Sequence, residues 1–356
     1  MTKLAQRAAA LAVAILLAGC SQDSLTEPES GTTPPLADFE RGGDPYRWTK
    51  LADAPEALAD LGGPGIGYSA YSEGSRYVYA MAGTDYIEGQ LYRFDLKADR
   101  WERLRAEAWP IGKYRKLLHD PINRRLITYW DGLGQIYWIP ETGGAWRALG
   151  SQPNSDSYYE AYPFWNPVEQ RPFVFAGYGF GTFKNLLWRG LGDGWLVVPT
   201  QGTAPDVRFG GRSVAVDVAH GRVFFAEQRR GAAGNSDDLW QLSLEAYAWT
   251  NLIPLATGAH QRVSSGLGYI SRFDQLLRVG GHDPSDPTVV YTDVLAYDLE
   301  RPGSDYFVVP TAGTPPPART EPGVFYDPAR RRVIVVSGSC CNDVWALSYP
   351  RKARDR

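Results

Sequence analysis

Six stretches of the chain set an aliphatic residue beside an aromatic one inside a short apolar run. They are Leu91-Tyr92-Arg93-Phe94-Asp95-Leu96, Ile136-Tyr137-Trp138-Ile139, Leu187-Trp188-Arg189, Leu239-Trp240-Gln241-Leu242-Ser243-Leu244, Val294-Leu295-Ala296-Tyr297-Asp298-Leu299 and Val344-Trp345-Ala346-Leu347-Ser348. Runs of this make-up read as β-strands. Their second residues stand at 92, 137, 188, 240, 295 and 345, so the intervals are 45, 51, 52, 55 and 50. An internal period of this length marks a repeated unit of several strands.

Each of the first five runs is followed, about ten residues on, by an aromatic and then an aliphatic residue. These pairs are Trp101 and Leu104, Trp146 and Leu149, Trp195 and Val198, Trp249 and Leu252, and Tyr306 and Val309. The sixth run has no such follower. A matching piece, Trp48-Thr49-Lys50-Leu51, stands alone near the other end. The pattern therefore predicts that the N-terminal piece pairs with the last unit and closes a ring. Two further strands precede each pair: 67–72 then 76–83, 116–118 then 125–130, 159–165 then 172–177, 213–218 then 222–226, 267–271 then 276–281, and 323–326 then 332–338. Turn signals such as Glu73-Gly74, Asn166-Pro167 and Asp327-Pro328 separate them. The inner strands are alternating or wholly apolar, as for strands sandwiched between sheets. The prediction is an all-β fold of six four-stranded units.

A period near 50 with four strands per unit is the kelch spacing. The chain resembles the kelch-repeat family, which includes the propeller of galactose oxidase, over residues 46–350. Three features carry the resemblance. One is the Asp-Val-Trp type of strand at 342–347, Asp238-Leu239-Trp240 and Asp293-Val294. The others are the Trp-x-x-Leu follower and the arginines leading the inner strands, Arg208, Arg262 and Arg319. The double glycine that ends the family's second strand is intact only at Gly280-Gly281. Elsewhere it decays to Ala82-Gly83, Asp131-Gly132, Ala176-Gly177, Ala226-Glu227 and Ser337-Gly338. The resemblance implies a six-bladed β-propeller of kelch type. It does not carry over a copper-radical site, because the only cysteines beyond Cys20 are the adjacent Cys340 and Cys341. No cofactor and no metal is expected.

The chain's beginning adds an address. Lys3 and Arg7 precede an apolar run over 8–17, and Leu17-Ala18-Gly19-Cys20 resembles a bacterial lipobox. Residues 1–19 read as a lipoprotein signal peptide with Cys20 as the acylated residue; the alternative is ordinary cleavage leaving Cys20 a free thiol. Each buried methylene of an acyl chain is worth about 0.8 kcal/mol. Residues 20–44 read as a flexible tether, 45–350 as the propeller and 351–356 as a charged tail. Ser21 after the cysteine resembles lipoproteins of the outer membrane, for a Gram-negative host. The expected address is the bacterial cell envelope. That setting is oxidising, and Cys340 and Cys341 are there a vicinal disulfide, two free thiols or an intermolecular bridge. A net charge of −3, or −5 once Lys3 and Arg7 are removed, gives no sign of a nucleic-acid partner. A monomer is expected.

Chemistry is sparser than architecture. In a four-stranded blade, the loops between second and third strands share one face with the links between blades. Arg115, Arg208, Arg262 and Arg319 lead inner strands and converge at the channel mouth on that face. Guanidiniums there suit a carboxylate, phosphate or acidic sugar, or else they serve the fold. Tyr159, Glu160 and Glu321 lie at equivalent positions, and either glutamate is a candidate for proton transfer. His260 and His282, with Asp283 and Asp286, fall in loops of the fifth blade. They are ligand-binding candidates, a transition-metal donor set or solvated loop residues, and no dense ligand spacing favours the metal. Trp130 stands beside the same loops and suits a sugar or peptide surface. Gly-x-Ser-x-Gly, His-Glu-x-x-His and phosphate-binding glycine loops are absent. Two functions follow as expectations: an envelope-anchored module that binds a protein or glycan, or an exported enzyme on an acidic sugar or other anionic small molecule. The second follows from likeness in fold to kelch-type mutarotases.

Overall fold

A computed structural model describes residues 45–53, 55, 68–82, 90–107, 116–129, 135–151, 161–179, 182–191, 194–206, 213–226, 229–231, 234–254, 260–339, 341 and 343–349. They belong to one compact unit, 45–350. The predicted leader, Cys20, the tether and the tail lie outside the described residues.

The described strands form a six-bladed β-propeller, with no α-helix among them. Blade 1 runs through Tyr68–Ala70, Tyr77–Ala82, Gln90–Asp95 and Arg100–Leu104. Blade 2 comprises Lys116–Asp120, Arg125–Tyr129, Gln135–Pro140 and Arg147–Ser151. Blade 3 comprises Tyr162–Asn166, Arg171–Gly179, Thr182–Gly190 and Trp195–Val198. Blade 4 follows with Val214–Asp217, Arg222–Ala226, Leu239–Ser243 and Trp249–Ile253. Blade 5 has Gly266–Ile270, Gln275–Val279, Val294–Asp298 and Phe307–Val308. In each blade these are the inner, second, third and outer strands of an antiparallel meander. Each inner strand touches the inner strands of both neighbouring blades, which defines the ring and its axis.

Blade 6 draws Gly323–Asp327, Arg332–Val336 and Val344–Ser348 from the end of the chain. Its outer strand is Tyr46–Ala52, antiparallel to Val344–Ser348 with Trp48 opposite Leu347 and Lys50 opposite Trp345. The unpaired sixth run thus finds its follower at the other end, as the sequence predicts. An open ring would leave two free sheet edges, and closure removes them. Short parallel stitches reinforce the rim. The chain leaving one outer strand pairs with the chain entering the next: Ala106–Glu107 with Gly144–Ala145, Gln201 with Ala248, and Thr311–Ala312 with Tyr46 and Arg47.

Strand alternation explains the core. A blade is covered on both faces, so both sets of alternate residues must be apolar. In Arg222–Ala226, Val223 and Phe225 pack toward blade 3 while Phe224 and Ala226 pack toward blade 5. The described core is six such clusters, one between each pair of neighbouring blades. Burying one aliphatic or aromatic side chain of this kind stabilises by roughly 1.5–3 kcal/mol. Trp48 and Tyr46 join the cluster between blades 5 and 6, so the N-terminal strand is part of the core and not an appendage.

The double glycine has a steric cause. Gly280 and Gly281 have φ of 67° and 90°, and a Cβ at Gly281 would stand 2.7 Å from the carbonyl of Val263. The decayed pairs keep this backbone: Ala176 and Gly177 at 58° and 117°, Ser337 and Gly338 at 59° and 132°. A left-handed alanine or serine costs about 1–2 kcal/mol, so these blades keep the bend at some loss of stability.

Candidate functional site

The inner-strand arginines that the structure describes are engaged within the fold. Arg262, with no exposed surface, forms a two-pronged pair with Asp293: Nη1 to Oδ1 and Nη2 to Oδ2, both 3.1 Å. Its guanidinium lies 4.5 Å from the centre of the Tyr291 ring. Arg319 Nη1 donates to Asp343 Oδ1 at 2.8 Å and to the Ser337 carbonyl at 3.0 Å, and its Nε donates to the Pro317 carbonyl. Asp343 Oδ2 accepts the indole N–H of Trp345 at 2.7 Å, and Asp238 accepts that of Trp240 in the same way. The aspartate that starts the third strand thus ties the inner-strand arginine to the third-strand tryptophan. One nitrogen on each arginine, Arg262 Nε and Arg319 Nη2, lacks a protein partner, but both atoms are shut off from solvent.

The other sequence candidates disperse. Glu321 occupies the link into blade 6, with a left-handed backbone and its amide donating to the Ser264 carbonyl. His260 Nδ1 faces Asp305 at 3.5 Å. His282 pairs with Val263 and Val290 through the backbone, and its Nδ1 donates to the Asp283 carbonyl at 2.9 Å. Among the described residues, His260 and His282 do not meet with a carboxylate to make a three-ligand cluster. Cys341 is disulfide-bonded, which sets aside the free-thiol alternative. Arg115, Arg208, Trp130, Tyr159, Glu160, Cys20 and Cys340 lie outside the described residues.

On the opposite face the hairpin between inner and second strands follows a rule. An acidic residue ends the inner strand and an arginine five positions on begins the second: Asp120 and Arg125, Asp217 and Arg222, Asp327 and Arg332. One carboxylate oxygen accepts turn amides while the other accepts the arginine Nε, at 2.7, 2.7 and 3.1 Å in the three blades. Arg222 and Arg332 then reach the next blade, to Asp274 and Asp99. Asp217, His220 and Asp274 lie close enough together to resemble a cation site. The Arg222 guanidinium already sits on both carboxylates and supplies the positive charge there. The Asp-x-x-x-x-Arg spacing is legible in the sequence and is the signal that marks these three hairpin pairs as structural.

Inside the ring of hairpins lies a cavity of about 410 Å³ on the axis, walled by inner strands of all six blades. Leu118, Phe164, Val216, Leu267 and Phe325 give it an apolar wall, and the exposed side chains of Ile122 and Val218 rim it. Its lining among the described residues holds no lysine or arginine, and its one carboxylate is Glu73. The blade-1 hairpin leans over blade 6, with Tyr71 and Phe325 rings 5.5 Å apart, and Glu73 accepts a hydrogen bond from Ser271 in blade 5.

A polar cluster interrupts this wall between blades 1 and 2. Ser72 and His119 both line the cavity, and the Ser72 hydroxyl lies 2.9 Å from His119 Nδ1. His119 Nε2 lies 3.3 Å from Glu141 Oε2. Glu141 Oε1 accepts from Arg124 Nε at 2.6 Å, and Tyr79 points its hydroxyl at Oε2. His119 sits within the inner strand, not in the turn after it, because Asp120 and not Leu118 ends that strand. It is only 4% exposed. Burial pushes its pKa down against the pull of Glu141, so the ring is neutral near pH 7. Burial also pushes the Glu141 carboxyl up, but hydrogen bonds from Arg124 and His119 outweigh that and hold it below its usual range. A carboxylate only accepts, so Nε2 carries the proton and Nδ1 is left to accept from Ser72.

No protein-family model matches this sequence, and no curated protein matches it either. Solved structures do match in fold. YjhT superposes with a TM-score of 0.57 at 13% identity, covering 79% of this chain and 92% of that one. A fungal alcohol oxidase solved in complex with copper gives 0.56 at 14% identity, covering 86% and 76%. A gluconolactonase from Xanthomonas campestris gives 0.51 at 14% identity, covering 87% and 99%. At such identities the likeness shows the propeller and nothing about what the chain binds.

Proposed function

We propose that the protein is a kelch-type propeller, anchored to the bacterial cell envelope through Cys20, whose axial cavity binds a neutral, largely apolar molecule. The observation that supports this reading is the wall itself. An open-mouthed cavity of about 410 Å³ falls within the range of small-molecule sites. Its wall is mostly aliphatic and aromatic, broken by Ser72, His119 and Gln170, with no lysine or arginine among the described residues and with Glu73 near its mouth. An anion would enter without a counter-charge and against that carboxylate, which costs free energy in a partly desolvated site. The acidic-sugar enzyme is less supported, because Arg262 and Arg319 already hold Asp293 and Asp343. A tethered monomer with a cavity of this kind acts as a capture module, taking up its ligand or an apolar group of a partner protein or glycan.

The test uses two ligands of one shape. Trp165 lines the cavity and reports occupancy by its fluorescence. 2-Naphthol is expected to quench it saturably, and 2-naphthoate to bind at least tenfold more weakly. Val218→Trp narrows the exposed rim and is expected to weaken naphthol binding. Equal or tighter binding of naphthoate, or no saturable binding of either compound, overturns the reading.

A further inference from the structure

From the contact of Ser72 with His119 at the cavity wall, and of His119 with Glu141 behind it, we infer that the propeller is a serine hydrolase acting on neutral carboxylic esters. This deepens the cavity reading above and rests on it for the substrate class. Nothing local in the sequence announces the site. The hydroxyl, the imidazole and the carboxylate come from a blade-1 hairpin, a blade-2 inner strand and a blade-2 outer hairpin.

The three groups have the relation that nucleophilic catalysis requires. A serine hydroxyl is a weak nucleophile until a base accepts its proton, and the base works best when a third group orients it. His119 Nδ1 stands 2.9 Å from Ser72 Oγ, within the reach of proton transfer. Glu141 fixes the tautomer from the other side, and the Arg124 guanidinium keeps Glu141 charged. The imidazole is turned over relative to the familiar serine triad, in which the hydroxyl meets Nε2. Both nitrogens are competent bases once the tautomer is set, and such sites are recognised by geometry and roles and not by order in the chain. Ser72 is half-buried and opens a tight turn, Ser72-Glu73-Gly74-Ser75, in which the Ser75 amide donates to the Ser72 carbonyl and Gly74 has φ of 82°. The nucleophile therefore stands on a constrained hairpin at the cavity wall.

The reaction is redox-neutral and its only co-reactant is water. Ser72 Oγ bonds to the ester carbonyl carbon as its proton passes to His119 Nδ1. The tetrahedral adduct collapses, the carbon–oxygen bond to the alcohol breaks, and the leaving oxygen takes that proton. Water then attacks the acyl-serine, gives a proton to Nδ1 and releases the carboxylic acid, while Ser72 Oγ recovers its proton from the ring. The apolar cavity takes the acyl or alkyl part. Glu141 touches no substrate and acts as a positioning residue.

The full chain is treated with an alkyl fluorophosphonate. Attack by Ser72 breaks the phosphorus–fluorine bond, forms a phosphorus–oxygen bond and releases fluoride with the hydroxyl proton. Mass spectrometry is expected to find one adduct, on Ser72. His119→Gln is expected to slow labelling by about 100-fold or more, the size of a general-base contribution. Glu141→Gln is expected to slow it several-fold while the probe concentration for half-maximal rate stays unchanged. Ser72→Ala, a loss of one hydroxyl in a half-buried turn, is expected to abolish both labelling and hydrolysis of 4-nitrophenyl butyrate. It is also expected to leave the thermal midpoint intact. If Ser72 is not labelled in a protein that still binds naphthol, the hydrolase inference falls and the cavity reading survives. Labelling at another residue, or at Ser72 with equal speed in His119→Gln, overturns the inference too. Where His119→Gln lowers the thermal midpoint, the Ser72→Ala and Glu141→Gln results decide alone.

Discussion

Trp48 and Trp345 lie on neighbouring strands of the blade that closes the ring, and they should respond unequally to the same substitution. Both are buried, 4% and 7% exposed, in the same cluster. Trp345 donates its indole N–H to Asp343 at 2.7 Å, whereas that of Trp48 has no protein partner. Replacing either by phenylalanine costs packing of about 1 kcal/mol. At Trp48 the change also removes a buried unsatisfied donor, whose desolvation penalty is about 1–3 kcal/mol. The two effects cancel to near zero. At Trp345 the change removes a hydrogen bond to a charged acceptor, about 1.5–3 kcal/mol on top of the packing loss. The expected difference is about 3 kcal/mol, or about 5 °C in the thermal midpoint for a domain of this size. Calorimetry of Trp48→Phe and Trp345→Phe measures it directly. Midpoints within 1 °C of each other, or a larger loss at Trp48, would refute the reasoning. Trp101 and Trp249, also without a partner, should follow Trp48.

Deleting residues 45–51 removes the outer strand of blade 6 together with the buried Tyr46 and Trp48, about 2 kcal/mol or more for each side chain. The whole propeller should melt at least 10 °C lower by circular dichroism, and a truncated protein that melts like the parent sinks the closure. Arg319→Met leaves Asp343 buried without its cation and should cost about 3 kcal/mol. Adding Asp343→Asn should restore part of this in denaturant titrations, while naphthol binding stays unchanged. The Asp95 carboxyl is held down to about 2 by the hydrogen bond from Arg76, then by the amides of Lys97 and Ala98. Its contribution is therefore complete above pH 4 and lost as the pH falls from about 4 to 2. Arg76 is half-exposed, so screening reduces the contribution to about 1 kcal/mol. The acid limb of the stability curve should be shallower in Asp95→Asn.

Architecture was legible because each blade repeats the same demand. A strand covered on both faces needs apolar residues at every position, and that need rewrites the same aliphatic–aromatic run every 50 residues or so. The closing strand was readable because Trp48-Thr49-Lys50-Leu51 fits the one gap in the series. The arginines were readable as a set, but their work was not. Arg262 and Arg319 attract attention as charges, and only coordinates show that Asp293 and Asp343 neutralise them. The polar cluster was not readable at all. Ser72, His119 and Glu141 each look ordinary in their own stretch, and only the inter-blade contact between the first two blades brings them into register. The axial cavity escaped for the same reason: its wall takes a few residues from each of six blades. The Asp-x-x-x-x-Arg hairpins, by contrast, repeat at fixed spacing and can be found by inspection.

The pairing of Tyr46–Ala52 with Val344–Ser348 sets an order in time. Lys50 and Trp345 stand opposite each other although nearly the whole domain separates them. Closing a chain loop of that length costs about 5 kcal/mol in entropy beyond a fixed constant. Tyr46–Ala52 must therefore wait for its antiparallel partner until Val344–Ser348 is made. Five blades can meander into place as they emerge, but the ring cannot shut before the final strand arrives. Any chain that stops early keeps two raw sheet edges and no rim stitch at Tyr46. Ring closure thus separates finished molecules from unfinished ones, and a protease or chaperone that reads exposed strand edges would receive that distinction without any dedicated signal.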